Sequence, residues 1–112
     1  FSAYFNPEAG LTENTEVFLK AYREKYGEDA EPPSAAALGF DAYLLAVNAI
    51  RAAGTSEDGK AIRDQLAVTR NFLGASGSIT FDENGDPIKS VAIKTISNGK
   101  FVHIHTVEPK WQ

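Results

Sequence analysis

The longest run of apolar positions lies between Ala35 and Ala53, where only Gly39, Asp41, Asn48 and Arg51 interrupt the pattern. Pro32 and Pro33 stop whatever precedes this run, Ser34 can cap a helix start, and Gly54 stands where a C′ glycine belongs, so the spacing predicts a helix. An ordinary surface helix carries an apolar stripe about 100° wide, whereas a helix that is apolar all round must be covered on most sides. The rest of the chain must supply that cover.

Upstream, Phe1 to Pro7 alternates aromatic and small residues, like the tail of a strand entering a turn at Asn6-Pro7. A second helix runs from a Thr12 cap to Gly27, with Val17, Phe18, Ala21, Tyr22 and Tyr26 on one face. Glu13 and Glu16 lie at its positive end and Lys20, Arg23 and Lys25 towards its negative end, in agreement with the helix macrodipole. The acidic, proline-bearing connector Glu28 to Pro33 is stiff. Beyond Gly54, the polar run from Thr55 to Lys60 provides a cap and an acidic first turn for a third helix over Glu57 to Thr69. Ile62 with Leu66, and Ala61 with Val68, give it a narrow apolar stripe.

From Gly74 to Gly77 the helical period breaks and period two takes over. Ile79 and Phe81 share one face of a strand, and Asp82 to Pro87 forms a tight turn. The chain closes on a hairpin, because Asn98-Gly99 fits a two-residue type I′ loop. That loop sets Ile96 opposite Phe101, Lys94 opposite His103 and Ala92 opposite His105. The other face carries Val91, Ile93 and Thr95 against Val102, Ile104 and Thr106, and this is the face expected to be buried. Residues 109–112 form a loose tail. The expected division is a helical part over 1–73 and a β-rich part over 74–112.

The 112 residues make about one domain, 43% apolar and 23% charged, which is a globular composition. A net charge of -4 with scattered lysines and arginines gives no electrostatic basis for nucleic-acid binding. Zero cysteine removes disulfides, thiolate metal sites and a cysteine nucleophile. Asp41, Asn48 and Arg51 argue against a membrane span in the apolar helix. The chain starts at Phe1 and contains no methionine, as a processed or truncated piece reads.

Candidate chemistry is sparse. Asp82, Asn84 and Asp86 alternate like the start of a calcium loop, but Pro87 falls where the bend needs glycine and Ile93 where it needs a bidentate glutamate. A plain turn is the better reading. His103 and His105 could share a metal from one strand face, yet no third ligand lies near in sequence, and a solvated hairpin face is favoured. No nucleophile elbow, phosphate loop or metalloprotease motif is present, and Ser76 and Ser78 sit in a glycine-rich bend that backbone geometry explains. Asp41, a carboxylate inside an apolar helix, is expected to be hydrogen-bonded to a neighbouring element rather than reactive. No enzymatic role, metal or cofactor is expected.

Three phrases together resemble a known family. Gly39-Phe40-Asp41-Ala42 opening the apolar helix, Phe72-Leu73-Gly74-Ala75-Ser76-Gly77, and the run from Ile79 through Phe81, Asp82, Gly85 and Asp86 to Pro87 recur in this order in the solute-binding proteins of branched-chain amino acid ABC transporters. The match has Phe at position 40 where the family has Tyr. This resemblance implies an α/β chain of three helices followed by an antiparallel hairpin and strand region. It would be part of one lobe of a type I periplasmic binding fold, the C-terminal third of the parent, open to rearrangement or strand swapping in isolation.

It also implies a parent that traps a small amino-acid-like or organic-acid solute between two lobes and presents it to a membrane permease. The parent would be periplasmic or extracellular, with a lipid anchor through a missing N-terminus as one form of attachment. By the same resemblance, Ala35 or Ala36 and the segment Tyr4, Phe5 and Asn6 lie at the solute cleft. With Ala35 where an aromatic wall could stand, an aromatic acid or an amide is as open as leucine. The fragment alone is not expected to bind solute but to self-associate through its uncovered helix. Two other readings stand beside this one: a complete small α+β interaction module, whose hairpin face covers the central helix, and a metal-binding module built on His103 and His105.

Overall fold

A computed structural model describes residues 2–3, 5–9 and 12–110. The elements are β1 (Ser2–Ala3), a 3-10 turn (Pro7–Ala9), α1 (Glu13–Tyr26), α2 (Ser34–Ala53), α3 (Gly59–Ala67), β2 (Phe72–Gly74), β3 (Gly77–Phe81), β4 (Pro87–Ile88), β5 (Val91–Ser97) and β6 (Lys100–Val107). They form an α/β arrangement with two antiparallel three-stranded sheets, ordered β1-β5-β6 and β2-β3-β4.

α1 begins and ends where its sequence signals stand. Thr12 caps it in a reciprocal box: its hydroxyl accepts from the Thr15 N–H, and the Thr15 hydroxyl accepts from the Thr12 N–H, both at 3.1 Å. Gly27 closes the helix with its N–H on the Arg23 carbonyl at 2.9 Å. At the end of α2, Gly54 adopts the left-handed conformation, φ 69°, and donates to the Ile50 and Arg51 carbonyls. Its start differs from expectation. Pro33 is the cap and Ser34 the first helical residue, with no side chain capping the helix. The third helix is shorter than its pattern, because the Asp58 carboxylate, not an earlier residue, takes the Ala61 N–H at 3.0 Å and sets the start. The expected acidic first turn is thus a single capping Asp.

The core is small and aromatic. Phe5, Phe18, Leu19, Ala37 and Ala75 are buried together, with Tyr22, Ala36 and Phe40 packed against them. Phe18 meets Phe5 edge to face, centroids 5.6 Å apart, and also touches Phe40 and Tyr22. α2 rests on α3 along one side and on β2 at its first half. Its other side is open, with Ala35, Ala42, Tyr43, Ala46 and Ile50 exposed. By length and composition it is apolar enough to cross a membrane, but Asp41 is built into contact with the β2–β3 turn, as described below.

The terminal hairpin keeps its predicted turn and loses its predicted register halfway along. Asn98 and Gly99 both take positive φ, 51° and 74°, as a type I′ turn requires. Ile96 faces Phe101 and Lys94 faces His103, as expected. A bulge between Ile93 and Lys94 then leaves Ile104 without a partner, so that Ile93 faces His105 and Ala92 faces Thr106. Period two is reset beyond the bulge. Ala92 is buried, whereas Val102 and Ile104 are 44% and 61% exposed. The face expected to be buried thus leaves Val102 and Ile104 open to solvent rather than covering α2.

The radius of gyration is 15.5 Å, against about 13 Å for a compact domain of this length. Only nine hydrophobic side chains are buried among the described residues, and much of the apolar surface of α2, β5 and β6 is open.

Candidate functional site

The most ordered polar constellation surrounds the two-residue turn Ala75-Ser76 between β2 and β3. Asp41 projects from α2 with 2% exposure, and its carboxylate accepts from the Ala75 N–H at 2.5 Å, the Ser76 N–H at 3.0 Å and the Ser76 hydroxyl. A buried carboxylate is costly unless its lone pairs are satisfied, and here three donors converge on it. On the other side of the turn the carbonyls are held by α1. The Thr12 hydroxyl donates to the Gly74 carbonyl at 2.7 Å, the Thr15 hydroxyl to the Ala75 carbonyl at 2.8 Å, and the Asn14 amide to the Leu73 carbonyl at 2.7 Å. One turn is thus gripped through its N–H groups by α2 and through its carbonyls by α1.

Gly74 is required by this grip. A Cβ at that position would stand 2.5 Å from the Asp41 carboxyl carbon, so any side chain there would displace the carboxylate. The two phrases Gly39-Phe40-Asp41-Ala42 and Phe72-Leu73-Gly74-Ala75-Ser76-Gly77 are therefore halves of one contact.

Lys89 completes the group. Its ammonium donates to the Ser76 hydroxyl at 2.5 Å and approaches the Ser76 carbonyl at 3.4 Å. Burial holds its pKa below the usual lysine value, and the negative charge of Asp41 opposes that shift. Ser76 is 1% exposed and occupied on both sides, which leaves it no room to act as a nucleophile. Beside the turn lies a cavity of about 500 Å³ lined by Thr12, Leu73, Gly77, Ser78, Ile88, Ser90, Glu108 and Pro109.

None of the described residues assigned to the solute cleft lines that cavity. Ala35 is exposed on the first turn of α2, and Ala36 is half-buried against the aromatic cluster. Phe5 joins that cluster at 2% exposure, and Asn6, 5% exposed, accepts the Glu8 N–H on its side-chain oxygen at 3.3 Å. Phe5 and Ala36 thus come together, with Asn6 next in the chain. Tyr4 lies outside the described residues.

The other candidates have structural roles. Asp82 accepts the Asn84 and Asp86 N–H groups, each at 2.9 Å, and so organises its own turn. His103 Nε2 is paired with the Thr106 hydroxyl at 2.9 Å, and His105 is exposed. Among the described residues no three His, Asp or Glu side chains come together as a metal site. Sequence reasoning singled out Asp41 but missed Thr12, Thr15 and Lys89. Thr12 is already explained as a helix cap, Thr15 is one polar residue in a first helical turn, and a lone lysine between two strands carries no pattern.

A comparison with curated sequences returned no match. Among solved structures, the chain is similar to a leucine-binding protein, LivK, from Thermotoga maritima, with 40% identity and a TM-score of 0.88, over 97% of this chain and 30% of that one. It is also similar to the branched-chain amino acid transporter substrate-binding protein LivJ from Streptococcus pneumoniae, solved with isoleucine, with 32% identity and a TM-score of 0.81, again over 97% of this chain and 30% of that one. A benzoate-bound solute-binding protein of an ABC transporter from R. palustris shares the fold at 18% identity, with a TM-score of 0.81, over 96% of this chain and 29% of that one. The chain therefore spans about 30% of the length of the solved proteins it matches. The model of the periplasmic binding protein family matches residues 1–100, a stretch that contains the Asp41 clamp on the Ala75-Ser76 turn, and the chain belongs to that family.

Proposed function

We propose that this chain is the C-terminal portion of a receptor that captures a small amino-acid-like or organic-acid solute outside the membrane and hands it to an ABC permease. The observation that carries this reading is the 40% identity to a leucine-binding protein over 97% of the chain, together with the family match over residues 1–100. In such a receptor residues 1–73 belong to one lobe, and residues 74–112 form the crossover and terminal hairpin. The cleft wall includes Ala35 and Ala36 and the neighbouring Tyr4, Phe5 and Asn6. Binding is non-catalytic, with closure of the lobes around the solute as the signal to the permease. Its place is the periplasm or the cell exterior, with a lipid anchor as one means of attachment.

Alone, the chain lacks most of the cleft and is expected not to bind. The exposure of Val102 and Ile104 weighs against the reading of a complete interaction module, since that hairpin face leaves α2 uncovered. Calorimetric titration tests the proposal. A two-lobed protein carrying this segment should bind leucine, isoleucine or benzoate with one-site stoichiometry, while the 112-residue chain gives no heat with the same solutes. A two-lobed protein silent to all amino acids and organic acids tried would refute it.

A further inference from the structure

We infer that Asn98 is a site of spontaneous covalent modification, an amide that the hairpin turn leaves free to convert to isoaspartate, whereas the same dipeptide at Asn84-Gly85 is held unreactive by its turn. Of the six asparagines in the chain, only these two precede glycine. The reaction needs no partner but water. The main-chain nitrogen of the glycine attacks the asparagine Cγ, the Cγ–Nδ2 bond breaks, and ammonia leaves with the proton that the glycine nitrogen gives up. Water then opens the cyclic imide at one of its two carbonyls, giving aspartate or isoaspartate. Glycine suits the attack because it has no Cβ to hinder the approach of its nitrogen.

Both dipeptides are exposed, so access to water does not separate them. The attacking nitrogen does. In the Asp82 turn the Gly85 N–H donates to the Asp82 carbonyl at 3.2 Å, and the Asp82 carboxylate holds the Asn84 and Asp86 N–H groups, each at 2.9 Å. The Gly85 nitrogen must give up its acceptor before it can attack, and breaking one such bond slows the step about fivefold. In the two-residue hairpin loop the strands close between Ser97 and Lys100, outside the reacting pair. Among the described residues neither the Gly99 N–H nor the Asn98 side chain has a hydrogen-bond partner. The product matters to the fold. Isoaspartate carries the main chain through the former side chain, adding a carbon to the loop whose length sets the register of β5 against β6. The inference does not depend on solute binding.

The test incubates the 112-residue chain in mildly alkaline buffer and follows both asparagines by peptide mass spectrometry, with isoaspartate separated by chromatography. Position 98 should convert at least fivefold faster than position 84. In guanidinium chloride, which dissolves both turns, the two rates should converge. In the folded chain, Asp82→Ala should raise the rate at position 84 severalfold and leave position 98 unchanged. Equal rates in the folded chain overturn the inference. So does a difference that persists in guanidinium chloride, which would trace to flanking sequence, or a position 84 that stays slow in Asp82→Ala. Chains carrying isoaspartate at position 98 should exchange the amides of β5 and β6 at least fivefold faster than unmodified chains, and equal exchange would overturn the claim about register.

Discussion

Asp41 is the residue whose chemistry reaches furthest through this chain. It is buried on an apolar helix, and it satisfies two backbone N–H groups and a hydroxyl of the Ala75-Ser76 turn. Asp41→Ala would leave those donors buried without partners, and loss of one side of a buried charged network typically costs about 3–5 kcal/mol. Urea unfolding should record that loss as a lower midpoint at unchanged slope, with Asp41→Asn, which keeps one acceptor oxygen, falling between. The sequence makes Asp41 conspicuous because a carboxylate among alanines and leucines needs a reason. It does not identify the partner, because the partner is mainly backbone, which any residue provides. Gly74 is legible only afterwards, once the carboxylate is known to lie against it.

Elements whose ends are fixed by local chemistry are readable from sequence, and elements fixed by tertiary contact are not. α1 has its Thr12 cap and Gly27 stop, and the Asn98-Gly99 turn has its two positive φ angles. β2 and β4 are three and two residues long, too short for any periodicity to register, and they exist because β3 lies between them. The bulge at Ile104 has no signature in a run of alternating β-formers, so the partner inferred for Ala92 is one residue out. The turn itself is a testable part. Gly99→Ala forces a side chain into φ 74°, at about 1–2 kcal/mol. Amide exchange should accelerate along β5 and β6 while α1 and α2 keep their protection.

At the scale of the whole molecule the chain has more apolar surface than it can cover. Tyr43, Ile50, Phe101, Ile104 and Val107 are all exposed, and the radius of gyration exceeds that of a compact domain. This follows from α2, whose three polar residues and one glycine leave it apolar around most of its circumference. What composition could not say is that the hairpin would turn its branched residues outward rather than onto that helix. Exposed apolar area on this scale drives association. Sedimentation velocity of the 112-residue chain should show dimers or larger species growing with concentration, and a monomer at every concentration would contradict that expectation.

If these residues form part of a two-lobed solute receptor, they should complete a related one, and grafting puts that to the test. The chain replaces the matching 30% of the Thermotoga maritima leucine-binding protein, and the chimera is unfolded in a scanning calorimeter with and without solute. A receptor role predicts one cooperative transition whose midpoint rises when leucine, isoleucine or benzoate is added, because a ligand that binds only the folded state stabilises it. A separate transition for the grafted segment, with a midpoint unmoved by every solute, would contradict it.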